Sequence, residues 1–122
     1  MSQIINLNTF SDYRGDLTVI EKILPFDIKR VYYIYNVPSK KIVRGGHRHQ
    51  NNFQALVCLK GKCEISVNNG CKKENFKLNN SKICLILQPK DWHTMHNFSK
   101  DAILLVLASE YFDPNDYIEE DY

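Results

Sequence analysis

Eight short runs rich in β-branched and aromatic residues, separated by turn signals, leave this chain few options other than an all-β fold. The runs are Ile4–Leu7, Leu17–Glu21, Arg30–Val37, Ala55–Leu59, Cys63–Val67, Glu74–Leu78, Ile83–Leu87 and Ala102–Ala108, compositions that suit a pleated, half-buried surface. Asp12–Gly15, Pro38-Ser39, Gly45-Gly46, Lys60–Lys62, Asn68–Gly70, Asn79–Ser81 and Pro89–Asp91 punctuate them, with residues that tolerate turn geometry. Strands at this spacing predict a sandwich or small barrel. Asn68-Asn69-Gly70 predicts a hairpin, because a primed turn needs positive φ, and the Gly61 turn predicts a second. The one helical piece expected lies in the acidic tail, with Asp113 as cap and Pro114 at the first position.

A chain of 122 residues predicts a single domain over residues 1–122, with one core and room for a small-molecule pocket. Its net charge of +2 and its scattered lysines argue against nucleic acid as a partner. The first twenty residues lack the apolar stretch of a secretory signal, and no apolar run approaches the length of a membrane span. A cytoplasmic location is therefore expected. Cys58, Cys63, Cys71 and Cys84 form no C-x-x-C pair, and read as buried thiols rather than a zinc module.

Chemistry concentrates in Arg44-Gly45-Gly46-His47-Arg48-His49-Gln50-Asn51-Asn52-Phe53-Gln54. On an extended strand His47 and His49 share one face while Arg48 takes the other. Together with Gly61 and with Pro89-x-x-Trp92-His93-x-x-His96-Asn97, this stretch resembles the two cupin motifs. Two departures stand out. Gln54 occupies the usual glutamate position, and His93 comes one residue early, which on a strand reverses its face unless a bulge intervenes. A divalent transition metal wants imidazoles plus a carboxylate, and Gln54 supplies no charge. No catalytic metal and no cofactor are expected, leaving His47 and His49 for proton chemistry near neutral pH.

A narrower resemblance covers nearly the whole chain. Lys29–Tyr35, Arg44-Gly45-x-His47-x-His49, Gln54-x-Leu56-x-Cys58-x-Lys60-Gly61, Trp92-His93-x-Met95-x-Asn97-Phe98-Ser99, Val106–Ser109 and Tyr111-x-Asp113-x-x-Asp116-Tyr117-Ile118 resemble the cupin sugar 3,4-ketoisomerases. That resemblance implies a dimeric, metal-free jelly roll converting dTDP-4-keto-6-deoxyglucose to its 3-keto isomer, which an aminotransferase would then consume. It maps a catalytic trio onto Tyr35, His47 and His49. Moving a ketone from C4 to C3 needs one base that reaches carbon and a partner that exchanges protons with oxygen. His49 is expected as the carbon base, with His47 and Tyr35 as the oxygen shuttle. Without the resemblance, Tyr35 would read as a core aromatic.

Arg44 is expected to stabilise enediolate charge or hold a diphosphate oxygen, and Gln54 to lie at the substrate. Trp92 offers an apolar wall and His93 a donor. Within the family, the residues at Arg14 and His93 are associated with the face of C4 reprotonation, and the pair here resembles members giving the gluco product. His96 reads as structural. The amino-terminal strand has no obvious partner in so small a barrel and is expected to exchange across a homodimer. Competing readings are a metal-dependent cupin oxygenase using His47, His49 and His93 or His96, a non-catalytic dTDP-sugar-binding cupin, and a related cupin epimerase.

Overall fold

A computed structural model of the protein describes residues 2–122. In chain order its strands are β1 (Gln3–Asn6), β2 (Asn8–Asp12), β3 (Gly15–Val19), β4 (Arg30–Tyr35), β5 (Arg44–His49), β6 (Gln54–Lys60), β7 (Cys63–Asn68), β8 (Lys73–Leu78), β9 (Ile83–Leu87), β10 (Trp92–His96), β11 (Ile103–Ala108) and β12 (Tyr117–Ile118). A single 3-10 turn, Pro114–Asp116, is the only helical element among the described residues. It begins as the sequence predicts, with the Asp113 side chain accepting from the Asn115 amide and Pro114 at its start.

The strands form two five-stranded antiparallel sheets, ordered β1-β9-β6-β11-β4 and β12-β5-β10-β7-β8, and a separate β2-β3 pair. The two large sheets do not join into one closed barrel. Between them lies the main core, where Leu56, Leu85, Leu104 and Val106 of the first sheet share one cluster with Ile65, Val67, Leu78 and Met95 of the second. The first sheet is buried on its other face too, where Leu7, Ala55, Val57, Cys84, Ile86 and Leu107 pack against Ile20, Ile23, Leu24 and Phe26. That double burial explains why β6 and β9 read as unbroken apolar runs instead of alternating ones. Cys58, Cys63 and Cys84 are buried and unbridged, whereas Cys71 is exposed.

Two expectations need correction. The Gly61 turn closes no hairpin: β6 pairs with β9 and β11, β7 pairs with β8 and β10, and the turn hands the chain from one sheet to the other. The amino-terminal strand also has a partner within its own chain, since Gln3–Asn6 pairs with Ile83–Ile86. Left without a third strand is the β2-β3 hairpin, whose Phe10 and Leu17 are 63% and 62% exposed.

Candidate active site

Strand β5 delivers both histidines as its alternation requires. His47 is half-buried, His49 is buried, and Arg48 points outward to stack its guanidinium 4.5 Å from the Tyr122 ring. Beside β5 runs β10, and their register slips between His93 and Thr94: His93 sits opposite His47, Thr94 opposite Gly45, and Gly46 is the extra residue. The bulge lies in β5, whereas β10 alternates regularly and pairs with β7 in unbroken register. Gly46 and Gly45 accommodate the bulge with φ of 82° and 83°, values open chiefly to glycine. His93 faces inward with Met95 by the alternation of β10 and is 1% exposed.

Three imidazoles and a phenol therefore converge. The His47 ring lies 5.0 Å from His49, 5.1 Å from His93 and 4.6 Å from Tyr117, and His49 lies 4.7 Å from Tyr117. Burial pushes His47 down to about 4, helped by the neighbouring His49 and opposed by the Gly45 backbone. It pushes His93 down to about 3, against the pull of the Asp91 backbone. His49 is lowered by burial as well, but Asp116 opposes that shift through a 2.8 Å hydrogen bond to Nδ1 and through its charge. His93 Nδ1 faces the Asp91 carbonyl at 3.0 Å. The buried Nε2 atoms of His49 and His93 have no partner. Burial disfavours the charged form at all three imidazoles, with Asp116 opposing it at His49.

Opposite, β4 contributes Tyr32. Its hydroxyl accepts from the Gln54 amide at 3.0 Å, which leaves the phenolic proton free to be donated. Burial, and next the nearby Tyr117, hold the phenol above its ordinary pKa. The Arg30 guanidinium stacks 4.5 Å from the Tyr32 ring and 5.3 Å from Phe112, and its charge reaches His49. Neither Tyr32 nor Arg30 was singled out by sequence. Their signal was available in strand parity, which places Arg30, Tyr32 and Ile34 on one face of β4 and Tyr33 and Tyr35 on the other.

Several expected residues lie elsewhere. Tyr35 is 56% exposed on the outer face of β4, its ring 5.6 Å from Tyr33, so this chain does not bring it to His47 and His49. Trp92 alternates with His93 and faces outward, where Nε1 donates to the Glu119 carbonyl at 2.9 Å. Arg14 sits at the β2-β3 turn with its guanidinium on Asp12 at 2.6 Å. Gln54 is 2% exposed with Oε1 unpartnered. Arg44 opens β5 at an exposed position, and its charge is felt at Tyr32. His96 is half-buried, with Nε2 2.8 Å from the Ser66 hydroxyl. Among the described residues, no three His, Cys, Asp or Glu side chains are gathered as a metal site.

The profile of the family described as "FdtA: WxcM-like, C-terminal" matches residues 1–122. The chain belongs to this family. A curated relative, TDP-4-oxo-6-deoxy-alpha-D-glucose-3,4-oxoisomerase of Aneurinibacillus thermoaerophilus, is 40% identical over 121 residues, covering 98% of this chain and 86% of its own. Among solved structures, the H51N mutant of the 3,4-ketoisomerase QdtA of Thermoanaerobacterium thermosaccharolyticum, in complex with TDP-4-keto-6-deoxyglucose, is 41% identical with a TM-score of 0.92, covering 98% and 87%. The WlaRB TDP-quinovose 3,4-ketoisomerase of Campylobacter jejuni is 41% identical with a TM-score of 0.93, covering 98% and 92%. Relatives named as isomerases thus share this family's fold over almost its full length.

Proposed function

We propose that this protein is a sugar-nucleotide 3,4-ketoisomerase that converts dTDP-4-keto-6-deoxyglucose to the 3-keto isomer by acid/base catalysis. The observation that carries the reading is the packing of His47, His49, His93 and Tyr117 into one cluster, in a chain 40% identical to a named oxoisomerase. The reaction removes the C3 proton, passes through an enediol, places a proton on C4 and moves a hydroxyl proton from O3 to O4. No net oxidant or reductant enters.

Accessibility supports a different division of roles from the one expected from the sequence. His47 is the more open of the two imidazoles, half-buried where His49 is 3% exposed. His47 is the carbon base in this proposal; His49 and Tyr32 serve the oxygens, Tyr32 replacing Tyr35. Arg30 and Arg44 supply positive charge for the enediolate or the diphosphate. Gln54 orients Tyr32. The gluco product remains the expected one, on the identities of Arg14 and His93, and the C4 configuration of the product tests it.

The wider reading is a single cupin jelly-roll domain, cytoplasmic and homodimeric, in which the exposed β2-β3 hairpin is the element offered to the second subunit. The test is an NMR time course of dTDP-4-keto-6-deoxyglucose in deuterated water, with His47→Asn as control. A 3-keto product carrying solvent deuterium at C4, absent with the variant, supports the proposal, and its C4 configuration decides between the gluco and galacto epimers. Binding without turnover would instead favour a sensing cupin.

A further inference from the structure

Asp116 is a carboxylate placed among imidazoles at 9% exposure, a position that costs several kcal/mol unless the charge is fully bonded. Both oxygens are occupied. Oδ2 lies 2.8 Å from His49 Nδ1, and Oδ1 accepts the Asn51 amide at 2.8 Å. The Asp116 backbone is tied down as well, its carbonyl accepting the Gln50 amide at 2.9 Å and its own amide donating to the Asp113 carbonyl at 3.0 Å. His49 is fixed from the other side, its amide donating to the Pro89 carbonyl at 2.8 Å. An ionised carboxylate can only accept, so the ring nitrogen facing it carries the proton.

We propose that Asp116 is a positioning residue: it holds His49 as the Nδ1–H tautomer, so that Nε2 is the only ring atom of His49 able to take a proton during the reaction. That atom is buried, has no partner in the protein and belongs to the ring packed against His47, His93 and Tyr117. An oxygen shuttle must begin each cycle as an acceptor. With the other tautomer, His49 would present an N–H where the sugar hydroxyl also presents its proton. Once Nε2 is protonated, Asp116 faces the imidazolium and stabilises it. Burial, and to a smaller extent Arg30, disfavour charge at His49 and Asp116 favours it, with His47, His93 and Tyr117 the remaining titratable groups around the ring.

The kinetic part rests on the isomerase reading, whereas the tautomer does not. Long-range 15N–1H correlation spectra of histidine-labelled, substrate-free protein read it directly. Wild type is expected to show His49 as Nδ1–H, and Asp116→Asn to lose that preference. In the same variant kcat falls about 10²- to 10⁴-fold with KM little changed, and Asp116→Glu recovers part of the loss. Removing the carboxylate's charge lowers the pKa of His49, so the acid limb of the residual kcat profile moves to lower pH. A wild-type spectrum with His49 as Nε2–H overturns the proposal even if the isomerase is active and even if the variants fail to fold. So does an Asp116→Asn enzyme that keeps wild-type kcat and acid limb. An Nδ1–H tautomer that Asp116→Asn abolishes, in a protein without isomerase activity, upholds the positioning and sinks the functional reading alone.

Discussion

One residue pair separates parity from proximity. Tyr32 and Tyr35 lie three positions apart on β4, and because strand side chains alternate, an odd separation puts them on opposite faces. Tyr32 enters the interior and meets Gln54, while Tyr35 stands in the open. Tyr32→Phe is therefore expected to lower kcat by about 10²- to 10⁴-fold, while Tyr35→Phe retains most of the wild-type rate. Steady-state kinetics on the 4-keto sugar checks both. The reverse pattern would mean that the outer face of β4 belongs to a site completed by a second subunit. The sequence did carry the alternation, but three tyrosines in one short strand offered no local signal saying which face was interior.

At the scale of elements, the site depends on a misfit between two strands. The single extra residue Gly46 sets His47 opposite the inward-facing His93, and the close approach is visible at Gly45, where an added Cβ would lie 2.9 Å from the His93 carbonyl. Gly45→Ala would meet both that contact and a φ of 83°, a backbone strain worth about 1–3 kcal/mol. Thermal unfolding should register it as a loss of several degrees in Tm, with activity falling further because β10 must shift. A variant as stable and active as wild type would show that β5 and β10 tolerate another register. The carboxyl-terminal segment is equally part of the site. Tyr117 pairs with His49 across β12 and β5, and beyond it Glu119, Asp121 and Tyr122 bind Trp92, Asn68 and the Lys90 carbonyl. A tail that composition alone would allow to fray is thus laid over the second sheet.

For the whole molecule, the unfinished part is the β2-β3 hairpin. Two strands alone are marginal in water, and this pair exposes Phe10, Tyr13 and Leu17, apolar surface that a second copy would cover in the proposed dimer. Sedimentation at micromolar concentration is expected to give a dimer for wild type and a monomer for Phe10→Glu/Leu17→Glu. A monomeric wild type would remove the dimer from the reading. By itself the sequence determined the all-β class, most strand positions, the tail cap and the pairing of His47 with His49, because these follow from period-two patterning and local turn chemistry. The tertiary structure alone decided that the bulge forms, that Tyr32 meets Gln54 and the Arg30 charge reaches His49, that Asp116 reaches His49 across 67 residues of chain, and that the Gly61 turn crosses between sheets. Those outcomes depend on which strands pair and which face becomes interior, a choice made by burying the whole core at once and written in no single segment.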